Sequence, residues 1–264
     1  MIGVFDSGLG GLTSVRTLEN ILPNEKIVYF GDTGRVPYGT KSKDTIVKYA
    51  LQDMRFLLSH PIDAVLVACG TVSSTAIEIL RENTDLPVLG VVDPSAKAAA
   101  NATKNGIVGV IGTGVTIASG SFEKALKEID PSIKTKATAC PLFVPLVENG
   151  FITMEDEVTL KVAKDYLGDI KESGADTLIL GCTHFPIIAD IIASVLPGVT
   201  LINSGAEAAK AVRDAMQKDS LLRNDGGGCE FFVSDEPYGF ERVAKMFLGR
   251  DVSGKVKKID IERY

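Results

Sequence analysis

The sequence has no surplus of basic residues. Its 264 residues include 28 Lys and Arg against 34 Asp and Glu, which gives a formal net charge of -6 and a pI near 5.1. Binding to nucleic acid phosphates requires clustered Lys and Arg. The notable basic cluster is Lys255, Lys257 and Lys258, which we interpret as a solvated edge strand. We therefore expect no nucleic acid partner.

Long apolar runs and a leader segment are also missing. No run approaches the roughly 18 apolar residues of a membrane span. Met1 leads directly into the apolar residues 2–5, without the basic, apolar and small-residue regions of a signal peptide. We expect a cytoplasmic protein with no membrane partner. A content of 45% hydrophobic and 23% charged residues is typical of a soluble globular protein of one or two domains.

Cysteine is scarce and widely spaced. The four cysteines are Cys69, Cys140, Cys182 and Cys229, and none forms a C-x-x-C pair. This spacing indicates neither a disulfide framework nor a thioredoxin-type site, so we expect free thiols. Cys229 begins an apolar strand and is best interpreted as a packing residue, whereas the role of Cys140 stays open.

Two of the cysteines end a stretch that the sequence contains twice. Residues 63–69 are D-A-V-L-V-A-C and residues 176–182 are D-T-L-I-L-G-C. The apolar run in each predicts a strand buried on both faces of a parallel sheet, and the carboxyl ends of such strands are where open α/β sheets bind ligands. A single cysteine could be a buried packing residue. Two at equivalent strand ends favour chemistry.

The repetition extends over much of the chain and predicts the fold class. Residues 108–114 match residues 2–8, and strands alternate with helical patterns throughout. We expect an α/β protein of two similar lobes, each a mainly parallel sheet flanked by helices, related by a pseudo-two-fold axis with the active site in the cleft between them. The predicted first lobe is residues 1–93 and 204–264, and the second is residues 94–203. Further predicted elements are helices over 42–59, 74–82, 186–196 and 238–248, and strands over 26–30, 87–91, 199–202, 229–233 and 256–261.

The loop at residues 6–11, D-S-G-L-G-G, matches neither G-x-G-x-x-G nor the P-loop pattern. Asp6 at the strand tip would repel phosphate. A carboxylate beside a hydroxyl and helix N-terminal amides could instead hold the ammonium and carboxylate of an α-amino acid. The alternative is a glycine-rich turn in which Asp6 acts only as a cap.

Two further residues have more than one interpretation. His184 could tune the Cys182 thiol, bind a substrate carboxylate or help to ligate a metal. Tyr38, in the sequence P-Y-G, could brace a turn or grip a carboxylate with its hydroxyl and the neighbouring amides. The residues alone leave these alternatives open.

Taken in order, five motifs resemble those of the bacterial glutamate racemase family. They are D-S-G-L-G-G at 6–11, P-Y-G at 37–39, A-C-x-T at 68–71, I-G-T at 111–113 and L-G-C-T-H-F-P at 180–186. The resemblance covers nearly the whole chain. It implies interconversion of L-glutamate and D-glutamate for peptidoglycan synthesis, without a cofactor or metal, by a protein that is often a homodimer. No Lys stands at the strand-end motifs, so no pyridoxal site is evident.

The resemblance also implies roles for particular residues. Cys69 and Cys182 would be the catalytic acid and base, assisted by Asp6, Glu148 and His184. The expected substrate-binding residues are Asp6, Ser7, Pro37, Tyr38, Gly39, Gly70, Thr71, Thr113, Thr116, Thr183 and His184. One departure concerns Gly70, because the family usually has Asn there. A side-chain amide hydrogen bond to the substrate would be missing, although the backbone N–H remains.

The chemistry that follows from two thiols is a two-base proton transfer. One group removes the α-proton from one face of the substrate while the other delivers a proton to the opposite face. A thiol has a reference pKa of about 8.5 and can serve as either acid or base. The alternatives are an aspartate or broader amino acid racemase, a two-lobed amino acid binding protein without catalysis, and a metalloprotein using Cys69, Cys182 and His184.

Overall fold

The structure is a computed structural model that describes residues 1–223, 226–235, 240–252 and 254–264. Its strands are β1 (Ile2–Asp6), β2 (Ile27–Gly31), β3 (Ala64–Val67), β4 (Val88–Gly90), β5 (Ile107–Gly112), β6 (Lys134–Ala139), β7 (Thr177–Leu180), β8 (Thr200–Asn203), β9 (Cys229–Val233) and β10 (Val256–Lys258). Its helices are α1 (Leu12–Ile21), α2 (Lys43–Leu58), α3 (Gly70–Thr75), α4 (Ile77–Arg81), α5 (Val92–Ala102), α6 (Gly114–Ala118), α7 (Ser121–Ile129), α8 (Phe143–Glu148), α9 (Glu157–Glu172), α10 (Ala189–Val195), α11 (Ser204–Lys218) and α12 (Phe240–Leu248). Short 3-10 turns cover Tyr38–Thr40, Phe185–Ile188 and Ile261–Arg263.

The strands form two parallel sheets whose central order is the same. One sheet has the order β10-β9-β2-β1-β3-β4 and the other has the order β6-β5-β7-β8. Ile2 of β1 pairs with Ala64 of β3, and Val108 of β5 pairs with Thr177 of β7. The repeat in the sequence matches Ile2 with Val108 and Ala64 with Thr177, so the two pairs are equivalent. The predicted α/β class with mainly parallel sheets and flanking helices is confirmed.

The chain crosses between the sheets at two strand-to-helix junctions. It leaves the first sheet after β4 and enters α5, which contacts β7 and β8 of the second sheet. It returns after β8 into α11, which contacts α1 and β3. Strands β9 and β10 then pair in the first sheet. The lobe bounds of 1–93, 94–203 and 204–264 stay a prediction, although both predicted crossings lie at these junctions.

Strands with a continuous apolar run were predicted well, since burial on both faces imposes that pattern. Strands β3 and β7 are buried at every residue. The sequence analysis did not predict β6, whose residues K-T-K-A-T-A are partly exposed at a sheet edge and carry no apolar run. The edge strand β10 exposes Lys257 and Lys258, as expected.

Two predicted elements differ from the structure, and part of a third lies outside the described residues. The helix expected over 74–82 begins earlier, at Gly70, and is interrupted at Ala76 to give α3 and α4. The strand expected over 256–261 ends at Lys258. The helix expected from residue 238 is described only from Phe240, because residues 236–239 lie outside the described part of the chain.

A continuous apolar core connects the two sheets. Helix α11 packs against both α1 and α5, and α5 packs against α7. Buried side chains from all four helices belong to one cluster, including Leu12, Ala96, Leu126 and Val212. This core fixes the carboxyl ends of β1 and β3 opposite those of β5 and β7. Within the described ranges, no helix combines the length and apolar character needed to cross a bilayer.

Candidate active site

One cavity lies between the carboxyl ends of the two sheets and is lined by both repeated cysteines. Its volume is about 320 Å³. Cys69 follows β3 and is 5% exposed, and Cys182 follows β7 and is 7% exposed. The lining residues are Ser7, Gly8, Val36, Pro37, Tyr38, Gly39, Thr40, Cys69, Gly70, Thr71, Thr113, Gly114, Pro141, Val144, Pro145, Glu148, Gly181, Cys182, Thr183 and His184.

The structure brings most of the expected site residues into this wall and places two behind it. Asp6 is 1% exposed, and its Oδ2 atom accepts the backbone N–H of Gly8 at 3.0 Å. The carboxylate therefore caps the turn, and it is not among the described lining residues. Thr116 is also outside that set, and its hydroxyl lies 2.9 Å from the hydroxyl of Thr113, which it supports from behind. This geometry favours a supporting role for Asp6 and Thr116 over direct contact with a substrate.

The Cys69 thiol lies in an environment that favours its neutral form. Its sulfur donates a hydrogen bond to the Ser7 hydroxyl over 3.3 Å. Burial raises the pKa of the Cys69 thiol to about 12, and the nearby Asp6 carboxylate adds to this rise, while the hydrogen bond to Ser7 opposes it. Burial also raises the pKa of Asp6, against the positive charge of His184. Once deprotonated, such a thiol is a strong base.

The Cys182 thiol lies beside an imidazole that is held in its charged form. Its sulfur is 3.8 Å from Nδ1 of His184, and Nε2 of the same ring is 3.0 Å from Oε1 of Glu148. Burial alone would lower the pKa of His184, but the hydrogen bonds to Cys182 and Glu148 outweigh it and raise this pKa to about 10. The imidazolium therefore places a positive charge 3.8 Å from the Cys182 sulfur.

Hydroxyl groups supply hydrogen-bond donors around the cavity. Thr71 and Thr113, from opposite sheets, have their hydroxyl oxygens 3.0 Å apart. Ser7 and Thr183 also line the cavity. Apolar side chains also line the cavity, from Val36, Pro37, Pro141, Val144 and Pro145. A small polar molecule placed here would meet both hydroxyl donors and apolar side chains.

Tyr38 belongs to a turn that lines the cavity, but its hydroxyl forms hydrogen bonds with residues outside the cavity wall. The hydroxyl donates to the buried carboxylate of Asp32 and lies 3.2 Å from Oδ2 of Asp53. Arg35 joins the two carboxylates, with Nε 2.6 Å from Asp32 and Nη2 3.0 Å from Asp53. The hydroxyl therefore braces the turn, so that the backbone at Gly39 faces the cavity.

Sequence reasoning missed this buried network and the apolar wall. Asp53 lies in the middle of α2 and is fully buried, which the polar and apolar pattern of a helix does not show for a single carboxylate. Val144 and Pro145 lie in the short helix α8, and their place in the wall depends on how the two sheets face each other. In the described ranges, no three His, Cys, Asp or Glu side chains are grouped as a metal site would require.

Comparison with known proteins gives the class first. Residues 12–212 match the family model described as Asp/Glu/Hydantoin racemase, which makes the chain an isomerase of the racemase class. The glutamate racemase of Geobacter metallireducens is 44% identical over 264 residues, covering 99% of this chain and 97% of the relative. The chain belongs to the glutamate racemases of this family, as the five motifs indicated.

Solved structures of similar proteins have the same fold. Glutamate racemase from Francisella tularensis, solved in complex with D-glutamate, is 38% identical with a TM-score of 0.91, and the match covers 100% of this chain and 98% of that one. Glutamate racemase from Thermus thermophilus, solved in complex with beta-chloro-D-alanine, is 41% identical with a TM-score of 0.89, again over 100% of this chain and 98% of that one.

Proposed function

We propose that this chain interconverts L-glutamate and D-glutamate by moving the α-proton between Cys69 and Cys182, without a cofactor. The observation that carries the proposal is that both thiols line one cavity from different sheets. The charge effect of Cys182 on the pKa of Cys69 supports their proximity. The relatives named glutamate racemase, one of them solved with D-glutamate, support the choice of substrate.

The reaction balances as two proton transfers. The thiolate removes the α-proton, the C–H bond breaks, and its electron pair stays on the α-carbon and spreads into the carboxylate. A new S–H bond forms at that cysteine. The opposite thiol then gives its proton to the other face of the carbon and becomes the thiolate. After one turnover, the cysteine that was the thiolate is the thiol, and the other is the thiolate. The enzyme is then in the state that accepts the opposite enantiomer.

We assign Cys69 as the starting acid and Cys182 as the starting base. The raised pKa of Cys69 keeps it as the proton donor, and the imidazolium of His184 lies 3.8 Å from the Cys182 sulfur. When Cys69 must act as base, its high pKa gives the basicity that an α-proton demands. Asp6 supports the Cys69 side from behind the wall through Gly8, and Glu148, which lines the cavity, supports Cys182 through His184.

Stabilisation of the carbanion is assigned to oriented donors and to exclusion of water. The hydroxyls of Ser7, Thr71, Thr113 and Thr183 line the cavity, and donors fixed before the reaction act strongly in a site with little water. None of the described lining side chains is a lysine, so none would form a Schiff base with a carbonyl cofactor. This supports a cofactor-independent reaction.

The wider role follows from the family. We propose that the product D-glutamate is supplied to peptidoglycan synthesis in the cytoplasm, and that the protein is a homodimer. These proposals rest on the family resemblance.

Exchange in deuterated water tests the proposed function. The protein is incubated with D-glutamate in deuterated water without pyridoxal phosphate, and both circular dichroism and deuterium at the α-carbon are followed. We expect the circular dichroism signal of D-glutamate to disappear while deuterium is incorporated at the α-carbon. Retention of the α-proton would identify a binding protein, and faster turnover of aspartate in the same assay would identify an aspartate racemase.

A further inference from the structure

The backbones of the two cysteine-bearing segments touch at Gly70 and Gly181. Gly70 is the first residue of α3 and follows Cys69, and Gly181 precedes Cys182. A methyl group at position 70 would lie 2.0 Å from the carbonyl oxygen of Gly181 and 3.8 Å from the α-carbon of Cys182. No side chain fits between the segments in this arrangement.

The backbone conformation does not explain the glycine. Gly70 is helical and is not one of the residues with a positive φ angle among those described. Alanine favours a helix more than glycine does, so local conformation would favour a side chain here. What excludes one is the opposing carbonyl of Gly181.

Other close approaches across the cavity end on side chains. A methyl group at Gly39 would lie 2.7 Å from Cβ of Thr113, and one at Gly10 would lie 2.1 Å from the hydroxyl of Thr183. A threonine side chain can change rotamer to give room. The carbonyl of Gly181 belongs to the backbone, so it can retreat only if the segment that carries Cys182 moves.

We propose that Gly70 is a positioning residue that sets the separation of the Cys69 and Cys182 sulfurs. This inference rests on the proposed function, because the separation matters if both thiols act on one carbon. Contacts shorter than 3.0 Å essentially do not occur for a Cβ atom, so a side chain at 70 moves the two segments apart by about 1 Å. Reacting atoms must approach to about 3–3.5 Å, and a misplacement of about 1 Å can cost about 100-fold in rate.

The inference gives Gly70 a different role from the asparagine expected from the family resemblance. An amide there would act through a hydrogen bond to the substrate. Glycine acts through the close approach that its missing side chain permits, which brings both sulfurs nearer to the substrate carbon. The two roles predict different kinetics for Gly70→Asn.

Kinetics of Gly70→Ala test the proposal. We expect kcat to fall about 100-fold for both enantiomers, because the two thiols are displaced from the substrate carbon. The matched control is Gly168→Ala in α9, where a methyl group meets nothing within 4 Å. This control keeps the wild-type kcat. A wild-type kcat in Gly70→Ala overturns the proposal.

Kinetics of Gly70→Asn separate the two roles. The proposal predicts a loss of kcat at least as large as in Gly70→Ala. A lower KM with an unchanged or higher kcat would show that a side-chain hydrogen bond is what this position lacks, and would overturn the proposal.

Crystal structures of the wild type and Gly70→Ala provide a measurement that does not depend on activity. The distance between the α-carbons of Cys69 and Cys182 should increase by about 1 Å, as the methyl contact requires. An unchanged distance, or a Gly70→Ala protein that does not fold, would overturn the proposal. If the wild type does not racemise glutamate, the proposed function fails, while these structures still decide whether residue 70 sets the distance.

Discussion

The two thiols differ in the charged groups that surround them. Cys69 has the Ser7 hydroxyl and the Asp6 carboxylate nearby, whereas Cys182 contacts an imidazolium backed by Glu148. Equivalent positions in a repeated sequence have thus acquired opposite electrostatic environments. This asymmetry supports the proposed roles of Cys69 as the starting acid and Cys182 as the starting base.

The raised pKa of His184 predicts how its contribution to stability depends on pH. Its pKa is about 10 in the folded protein against an ordinary value of 6.5, so the folded state binds the proton more tightly. The stabilisation is fully present below about pH 6.5 and is lost as pH rises through about 10. The difference in unfolding free energy between the wild type and His184→Asn should therefore decline over this interval, by at most about 1.4 kcal/mol per pH unit.

Chemical denaturation at a series of pH values measures this difference. The effect of Cys69 cancels because both proteins contain it. When the same comparison is made in a Glu148→Gln background, the pH range over which the difference declines should end at a lower pH. The reason is that Glu148, one of the groups that raise the pKa of His184, has lost its charge. A difference that does not vary between pH 6.5 and 10 would contradict the assignment of a charged His184.

Individual elements show where sequence patterns were informative. The apolar runs of β3 and β7 predicted buried strands ending at the cysteines, and α2 (Lys43–Leu58) lies within the helix predicted over 42–59. Patterns were weaker where an element lies at an edge, as for β6, or where a helix is interrupted, as at Ala76. Local sequence indicates what an element buries, but it does not show which distant element covers it.

Helix α12 illustrates such a distant contact. The Phe247 ring is fully buried, and its centroid lies 5.0 Å from that of the His184 ring at an angle of 80°. Helix α12 thus supports the imidazole that contacts Cys182, although the two are more than 60 residues apart in sequence. The sequence pattern gave no indication of this contact.

Removing this ring should weaken both stability and turnover. We expect Phe247→Ala to lower the unfolding free energy by about 3–5 kcal/mol, the usual cost of deleting a buried aromatic ring. It should also lower kcat, because the imidazole loses its support. Phe247→Leu keeps most of the apolar volume. Comparing its denaturation curve and kcat with those of Phe247→Ala separates the effect on stability from the effect on the position of His184. A stable Phe247→Ala with the wild-type kcat would show that α12 does not position His184.

At the scale of the whole molecule, the repeat in the sequence predicted two similar lobes, each with a mainly parallel sheet, and the motifs predicted most of the cavity wall. The sequence could not show that Asp6 and Thr116 lie behind that wall, or that Arg35 and Asp53 brace Tyr38 from beneath. These facts depend on long-range packing between elements. The core around α1, α5 and α11 fixes how the two sheets are oriented relative to each other. This orientation determines which residues meet in the cavity.

The central claim is that two sulfurs act on opposite faces of one carbon, and Cys69→Ala and Cys182→Ala test it most directly. Racemisation is measured from both enantiomers, together with deuterium exchange at the α-carbon. We predict that each variant loses racemisation, because removing either thiol removes the acid or the base, and that each still exchanges deuterium into one enantiomer only, a different one for each variant. Racemisation at the wild-type rate by either variant would contradict the account.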